Sequence, residues 1–202
     1  MPKTGMRSIR RQQFIDAAID VILEDGIARM SNARVAAVAN LSPSLLPHYF
    51  ANRTLLLDAT LRQILRRCHR ISIERLRKHN GPLDRLHILI DIHFREEFFT
   101  PGMKRLCRDM HHAVHQSDLL KYTYRAYQAR LLSAVRREMT QLVTARNLDA
   151  ASIGFIALLE GLWMKALSEP VLLTKKDAVA LQKQYLRLIT TRIRVKAGDR
   201  LG

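Results

Sequence analysis

Residues 42–53 carry hydroxyl, imidazole, phenol and guanidinium groups at close spacing, supplied by Ser42, Ser44, His48, Tyr49 and Arg53. Groups of these kinds on one short segment can hydrogen-bond to the phosphate oxygens and base edges of a nucleic acid. The chain has no G-x-S-x-G motif, no glycine-rich phosphate loop and no pair of carboxylates suited to a cleft. The sequence therefore predicts recognition chemistry, with no catalytic residue and no cofactor.

Two short helices joined by a tight turn are predicted to position these groups. Ser31 or Asn32 can cap the first helix, and Asn40 ends it because Asn tolerates the left-handed conformation. Ser42 is expected to cap the second helix, with Pro43 at its first position. This order favours a helix-turn-helix, which places its second helix in the major groove of DNA. An ordinary αα-hairpin uses the same caps, so the pattern alone leaves both interpretations open.

The run LSPSLLPHYFANRTLLLDA resembles the DNA-reading segment of the tetracycline-repressor (TetR) family. The matching positions are Leu41, Ser42, Leu46, His48, Tyr49, Phe50, Arg53 (for Lys), Leu55 and Leu56. The N-terminal MPKTGMRSIRRQQFIDA and the later LLEGLWMKAL are similar to the choline-responsive, BetI-like branch of that family. The resemblance implies a ligand-responsive repressor whose body holds a small-molecule pocket and a dimer interface.

Ten positions are expected to contact DNA under this resemblance. Ser44, Leu45 and His48 lie on one side of the second helix and are the expected base readers, with Leu45 on a thymine methyl group. The remaining positions are expected to contact the sugar-phosphate backbone. They are Ser31, Asn32, Arg34, Ser42, Pro43, Tyr49 and Arg53. Leu46 and Phe50 are expected to pack in the core.

Pro47 departs from the family pattern, which usually has a phosphate-binding Tyr at this position. Proline inside a helix removes a hydrogen bond and costs about 3 kcal/mol, but it is tolerated in the first turn. We expect tolerance here if the helix effectively starts at Ser44. Basic residues at the N-terminus could replace the lost anchor by reaching the backbone or minor groove, or could be disordered and solvated. They are Lys3, Arg7, Arg10 and Arg11.

Composition favours an all-α protein. The 202 residues include only 8 Gly and 6 Pro and show no sustained alternation of apolar and polar residues. We expect no apolar run long enough to span a bilayer, and the N-terminus lacks the apolar region of a secretory signal. Cys68 and Cys107 are interpreted as reduced thiols. A cytoplasmic protein without a membrane partner is predicted.

The net charge of +16 favours a polyanionic partner. Residues 1–60 contribute only +2, whereas residues 61–79 contribute +6. Arg62, Arg66 and Arg70 form a stripe at helical spacing in the second range. This stripe is either a solvated helix face or a surface that attracts DNA phosphates or anionic ligands.

The predicted architecture is a three-helix DNA-binding head on a roughly six-helix body. We assign residues 1–52 to the helix-turn-helix domain and residues 53–202 to a ligand-binding and dimerisation domain. The family resemblance implies that the last two helices pair with those of a second subunit, and a symmetric homodimer would read an inverted repeat. The predicted helices cover 8–25, 32–39, 43–50, 53–79, 82–99, 103–116, 118–146, 149–168 and 174–196.

A choline-like effector would need an aromatic cage, because ring faces attract a quaternary ammonium. Phe94, Phe98, Tyr127 and Trp163 are the chosen candidates. A position in the core is the favoured interpretation for each of them. Further candidates are Tyr122, Tyr124 and Phe155, with Asp91 or Glu160 to balance the charge.

Cys107, His111 and His115 recur at four-residue spacing on one predicted helix. Adjacent members of such a row can share a metal ion, but three members spread over two turns seldom converge on one ion. No metal site is therefore predicted. The alternatives are a polar pocket wall and a solvated histidine face. For the whole chain, an effector-independent basic DNA-binding or adaptor protein remains the alternative to the repressor.

Overall fold

The computed structural model describes the backbone of residues 3–198 and the side chains of residues 5–191. These residues form eight α-helices linked by turns, without a β-strand, so the predicted all-α class is confirmed. The helices are α1 (Lys3–Asp25), α2 (Asn32–Val38), α3 (Arg53–Leu76), α4 (Pro82–His93), α5 (Pro101–Gln116), α6 (Asp118–Met139), α7 (Leu148–Ser168) and α8 (Lys175–Gly198). Shorter 3-10 segments lie at Ile27–Arg29, Pro43–His48, Glu96–Phe98 and Ala145–Asn147.

Several helices end earlier than the sequence predicts. α4 stops at His93 because Phe94 turns into the core and its ring stacks on that of Phe99 at 6.0 Å. α6 stops at Met139, where the amides of Leu142 and Val143 both donate to the Met139 carbonyl. These two side chains are buried, so the chain leaves the helix axis to place them inside.

The first compact unit contains residues Met1–His69 and Thr100–Tyr127. Its core is centred on Phe14, Val21 and Ile22 of α1, all completely buried. α2, the start of α3, and α5 pack around them. This unit extends beyond the predicted 1–52 domain, since it includes α5 and the first half of α6. The predicted functional boundary at 52/53 stays a prediction.

The second compact unit contains residues Arg70–Phe99 and Gln128–Gly202. Its core is formed by the buried faces of α4, the second half of α6, α7 and α8. Phe155 and Leu159 of α7 and Leu186 of α8 are completely buried. Gly154 allows α7 and α8 to approach closely, because a side chain there would lie 2.5 Å from the Tyr185 hydroxyl.

α7 lies in the most apolar stretch of the described chain. Residues Ala145–Ser168 contain an 18-residue window with a mean hydropathy of 1.5, sufficient in length and composition to cross a membrane. The expectation that no apolar run is long enough is therefore wrong. Core helices of soluble proteins meet the same criterion, and α7 contributes seven buried residues to the second unit. Its apolar character is that of a core helix.

Candidate DNA-binding surface

The turn after α2 has the geometry that the sequence predicts. Asn40 has a φ of 57°, in the left-handed region. Its amide donates to the Ala37 carbonyl at 3.1 Å, and the Leu41 amide donates to the Ala36 carbonyl at 2.9 Å. This pair of hydrogen bonds is the Schellman motif, which ends a helix and fixes the direction of the chain that follows.

Residues 42–49, here called the reading segment, follow this turn. Their central part is a 3-10 helix, Pro43–His48, instead of the predicted α-helix. Pro47 has no amide hydrogen to donate, and in an α-helix its ring would clash with the carbonyl of Pro43, four positions earlier. The Leu45 amide donates to Ser42 and the Tyr49 amide to Leu46, each at 3.0 Å and each closing a tighter 3-10 turn.

Side chains of the reading segment divide between solvent and core. Leu45 and His48 are exposed, in agreement with a base-reading role that stays a prediction. Leu46 and Phe50 are buried, which confirms the core interpretation. Ser42 holds the cap position, but its hydroxyl lies 2.8 Å from that of Ser44 and makes no capping bond to the backbone. The predicted side-chain cap by Ser42 is wrong.

The start of α1 lies beside the reading segment. Met6, Arg7, His48 and Tyr49 line one shallow, open depression. α1 is helical from Lys3 onward, so the disordered alternative for the basic N-terminus is wrong for the described residues; the Lys3 side chain lies outside them. Arg7 is thereby brought next to two of the predicted DNA-contacting side chains.

Two further residues of this region make ring contacts. Arg11 places its guanidinium 4.8 Å from the centre of the Phe50 ring. The Tyr49 ring packs against Phe14 at 5.5 Å, which ties the end of the reading segment to the core of α1. These contacts orient the segment from its inner side.

Helix α2 begins as predicted, with Ser31 as its cap. The Ser31 hydroxyl accepts a hydrogen bond from the Arg34 amide at 3.1 Å, and Asn32 is exposed beside it. The Arg34 guanidinium donates to Asp25 at 2.9 Å and to Glu24 at 3.1 Å. The hydrogen bond and the charge of Asp25 raise the pKa of Arg34. A phosphate contact by Arg34 would therefore require an exchange of partners.

Arg53 is also engaged inside the protein. Its guanidinium donates to the carbonyl of Ile27, which lies in the 3-10 segment between α1 and α2. The sequence interpretation missed the residue before it, since Asn52 accepts from the Leu55 amide at 2.9 Å and caps α3. An Asn directly before the first helical residue is the signal that could have identified this cap.

The arginine stripe on α3 is largely a solvated face. Arg66 and Arg70 are exposed. Arg62 donates to the buried Asp58 carboxylate at 2.7 Å, and the Thr123 hydroxyl donates to the other oxygen of Asp58. Arg62 thus stabilises a buried carboxylate, and Arg66 and Arg70 remain available for long-range attraction of DNA.

Two of the four aromatic candidates for effector binding meet through a residue that sequence reasoning missed. Phe94 stacks on Phe99, and Phe99 packs edge-on against Trp163 at 6.3 Å. We call these three residues the aromatic cluster. Lys175 places its ammonium 5.8 Å from the centre of the Phe99 ring and pairs with Glu96. A ring face of the cluster therefore already contacts a cation.

The other two effector candidates lie on two different elements. Phe98 is half-buried in the 3-10 segment after α4, and Tyr127 is half-buried on α6 at the end of the first compact unit. The proposed charge partners are occupied, because Asp91 pairs with Lys183 and Glu160 accepts from Gln128.

The histidine row on α5 is a solvated face. His111 and His115 are exposed, with ring centres 4.9 Å apart, whereas Cys107 is half-buried. Burial, and to a lesser extent the nearby Cys68, raises the pKa of Cys107 to about 12, which disfavours the thiolate that a metal requires. Within the described part of the chain, no group of three or more potential ligands could hold a metal ion.

Comparisons with known proteins agree with this geometry. Residues 82–191 match the family model described as BetI-type transcriptional repressor, C-terminal. A regulator named HTH-type transcriptional regulator BetI, from Burkholderia mallei (strain NCTC 10229), is 34% identical over 197 residues, which cover 96% of this chain and 100% of that protein.

Solved structures share the fold. A putative transcriptional regulator from Pseudomonas aeruginosa PAO1 has a TM-score of 0.79 at 18% identity, with 91% of each chain covered. A putative transcriptional regulator from Saccharomonospora viridis, solved in complex with choline, has a TM-score of 0.77 at 15% identity over 89% of this chain and 96% of that one. The family match extends over more than half of the chain, and the relative spans nearly all of it. The chain therefore belongs to the TetR-type family of BetI transcriptional repressors.

Proposed function

We propose that this protein is a cytoplasmic homodimer that represses transcription at an inverted-repeat operator and is released by choline or a similar quaternary ammonium. The DNA-binding part of this proposal is supported by the geometry of the reading segment. This segment follows directly after the Schellman turn, and its Leu45 and His48 side chains are exposed. The functional division at residue 52/53 belongs to this proposal, with the head reading DNA and the body holding the effector and the partner subunit.

Contact with DNA is assigned to the exposed side of the reading segment. Ser44, Leu45 and His48 read base edges, and Arg7 supplies a cation beside His48. The other proposed contacts go to the backbone and include Ser31, Asn32, Ser42, Pro43 and Tyr49. Arg34 and Arg53 contribute only if DNA replaces their present partners.

Dimerisation is assigned to an outer apolar face of α7 and α8. Ile153 and Met164 lie three turns apart on α7, and Leu181 and Leu188 lie two turns apart on α8; all four are exposed. These four residues define the outer apolar face. Neighbouring exposed apolar side chains on two adjacent helices favour burial against a second copy.

Effector binding is assigned to the aromatic cluster. Choline carries a charge that cannot donate a hydrogen bond, so ring faces are suitable partners for it. The Phe99 ring already contacts the Lys175 ammonium, which supports a cation preference at this place. The solved regulator with bound choline supports the same effector class.

The test of DNA binding is a gel shift with the DNA directly upstream of the gene. Competitor DNA and salt concentration are varied, and choline is added to the preformed complex. A specific complex that choline dissolves is expected. Binding that depends only on salt, with no preference for the upstream fragment, would instead support the effector-independent DNA-binding protein.

Choline binding can be followed by intrinsic fluorescence, because Trp163 is the single tryptophan of the chain. A saturable change in Trp163 emission with choline, and none with an equal concentration of sodium chloride, is the expected result. Calorimetry that shows no heat at millimolar choline would remove this effector.

A further inference from the structure

Two side chains of α5 bind the backbone at the end of α1. The Asp109 carboxylate accepts a hydrogen bond from the Ile27 amide at 3.0 Å. Arg105, one turn earlier, donates to the Glu24 carbonyl. We call Arg105 and Asp109 the α5 clamp. The Glu24 carbonyl lies in the last turn of α1, and the Ile27 amide opens the 3-10 segment that follows, so each group needs a partner from outside its own helix.

Helix α5 packs closely against the backbone that the α5 clamp holds. Gly26 has a φ of 87°, and a side chain at this position would lie 2.9 Å from the Asp109 carboxylate. Gly102, at the start of α5, is so close to α1 that an added Cβ would lie 2.7 Å from the Leu23 carbonyl oxygen. The absence of a side chain at these two glycines therefore allows α5 to approach the end of α1 closely.

The same turn also holds the DNA-reading elements. Arg34 of α2 pairs with Asp25 and Glu24, at the last residues of α1. Arg53 of α3 donates to the Ile27 carbonyl. Residues 24–27 are thus the place where α2, α3 and α5 are all attached to α1. A shift of this turn would move α2, and the reading segment follows α2 through the turn at Asn40.

We propose that Asp109 and Arg105 are positioning residues for DNA binding, which set the orientation of the reading segment without contacting DNA. This inference rests on the proposed function as an operator-binding protein. Both residues lie outside the helix-turn-helix, 82 and 81 positions from their backbone partners.

Charge gives this inference a clear test. Removing the Asp109 carboxylate makes the chain more basic, and added positive charge by itself strengthens binding to any DNA. Loss of a positioning residue instead weakens binding to the operator and leaves binding to other DNA unchanged. Weaker operator binding by Asp109→Ala therefore cannot arise from the change in net charge.

The experiment compares full-length wild type with Asp109→Ala, Asp109→Asn and a charge-matched control, Asp118→Ala. Asp118 is fully exposed on α6 in the same compact unit. Fluorescence anisotropy gives the affinity for the upstream fragment and for a scrambled duplex at several salt concentrations. Chemical denaturation first establishes conditions in which every variant is folded.

Asp109→Ala is expected to weaken operator binding on the order of tenfold, the scale of one charge-assisted hydrogen bond. Its affinity for scrambled DNA should match that of the charge-matched Asp118→Ala, and the slope of its operator binding against salt should match the wild type. Asp109→Asn should lose less, because its amide oxygen still accepts from Ile27. Asp118→Ala should bind at least as well as the wild type. Arg105→Ala should also weaken operator binding without changing the slope against salt, which a lost phosphate contact would reduce.

Operator binding by Asp109→Ala that equals that of Asp118→Ala would overturn the inference. A parallel loss of operator and scrambled binding would overturn it too, since positioning acts on specific binding alone. If the wild type binds the operator and scrambled DNA equally, the proposed function itself fails.

Discussion

The two compact units use arginine at helix ends in different ways. In the first unit, Arg53 and Arg105 bind carbonyls around the end of α1. In the second, Arg85 donates to the Leu76 and His79 carbonyls at the end of α3 and to the carboxylate of Glu138. Glu138 is almost completely buried, with 6% of its side chain exposed.

This difference predicts that the arginines of the two units contribute to different properties, namely the stability of the second unit and the function of the first. An arginine that partners a buried carboxylate cannot be lost without leaving an uncompensated charge inside the protein. When an arginine that binds only carbonyls near the surface is removed, water can reach those carbonyls and hydrogen-bond to them. We therefore expect the Arg85 site to determine the stability of the second unit, and the α5 clamp to determine DNA affinity in the first.

The largest expected effect follows from Arg85→Ala. Glu138 would keep only the more exposed Arg137 as a partner, so the free energy of unfolding should fall by about 3 kcal/mol. Urea denaturation measures this loss. Arg136→Ala is the matched control, because Arg136 pairs with Asp149 at the surface and should cost less than about 1 kcal/mol. Equal losses in both variants would remove the contrast between the units.

A charged residue in the outer apolar face should separate the subunits. Leu188 is 51% exposed, and Leu188→Asp would bury an unpaired carboxylate in the proposed interface. We expect the dimer dissociation constant to rise roughly 100-fold, as measured by sedimentation velocity. Val171→Asp should leave the dimer intact, since Val171 is 96% exposed in the turn before α8. A wild type that is monomeric at micromolar concentration would contradict the proposed interface.

A gain of affinity is expected in the first unit. Pro47→Tyr restores the residue that the family uses to bind a phosphate, and Pro47 is exposed in the reading segment. Operator binding should tighten by roughly 3- to 10-fold, the scale of one hydrogen bond, and the slope against salt should stay unchanged because a neutral phenol releases no counterion. Pro47→Ala serves as the control, because it restores the amide without the phenol. If both variants bind alike, the backbone and not the phenol is responsible.

The smallest expected effect concerns pH and the second unit. Burial lowers the pKa of His93, and burial followed by the charge of Lys183 lowers that of His87. Below about pH 6.5 these two histidines therefore bind protons more readily in the unfolded chain than in the folded protein. The free energy of unfolding should consequently fall as the pH drops below that value. His93→Gln should lose less stability than the wild type between pH 7.5 and 5.5 in urea titrations. An equal loss would exclude His93 as a cause.

Local features of the fold could be predicted from the sequence. The left-handed turn at Asn40, the helix stop at Gly26 and the burial of Leu46 and Phe50 depend on residues a few positions apart. Backbone preferences and helical spacing determine such features. The 3-10 form of the reading segment could have been predicted in the same way, because in an α-helix the Pro47 ring would clash with the carbonyl of residue 43.

Contacts between distant parts of the chain could not be predicted in this way. Arg53 was expected at a phosphate, but its partner is a carbonyl 26 positions away. Asp109 reaches an amide 82 positions away, and no local pattern points to that contact. Phe99 was missed for the same reason, since its role depends on Trp163 of another helix. Side-chain partners of this kind follow from tertiary packing.

The most direct test of the central claim is the coupling between choline and the operator. Choline affinity is measured by Trp163 fluorescence for the free protein and for the protein saturated with the upstream DNA fragment. Because coupling is reciprocal, choline should bind the DNA-bound protein at least about tenfold more weakly and weaken DNA binding by the same factor. Equal choline affinity in the two states would contradict a ligand-released repressor.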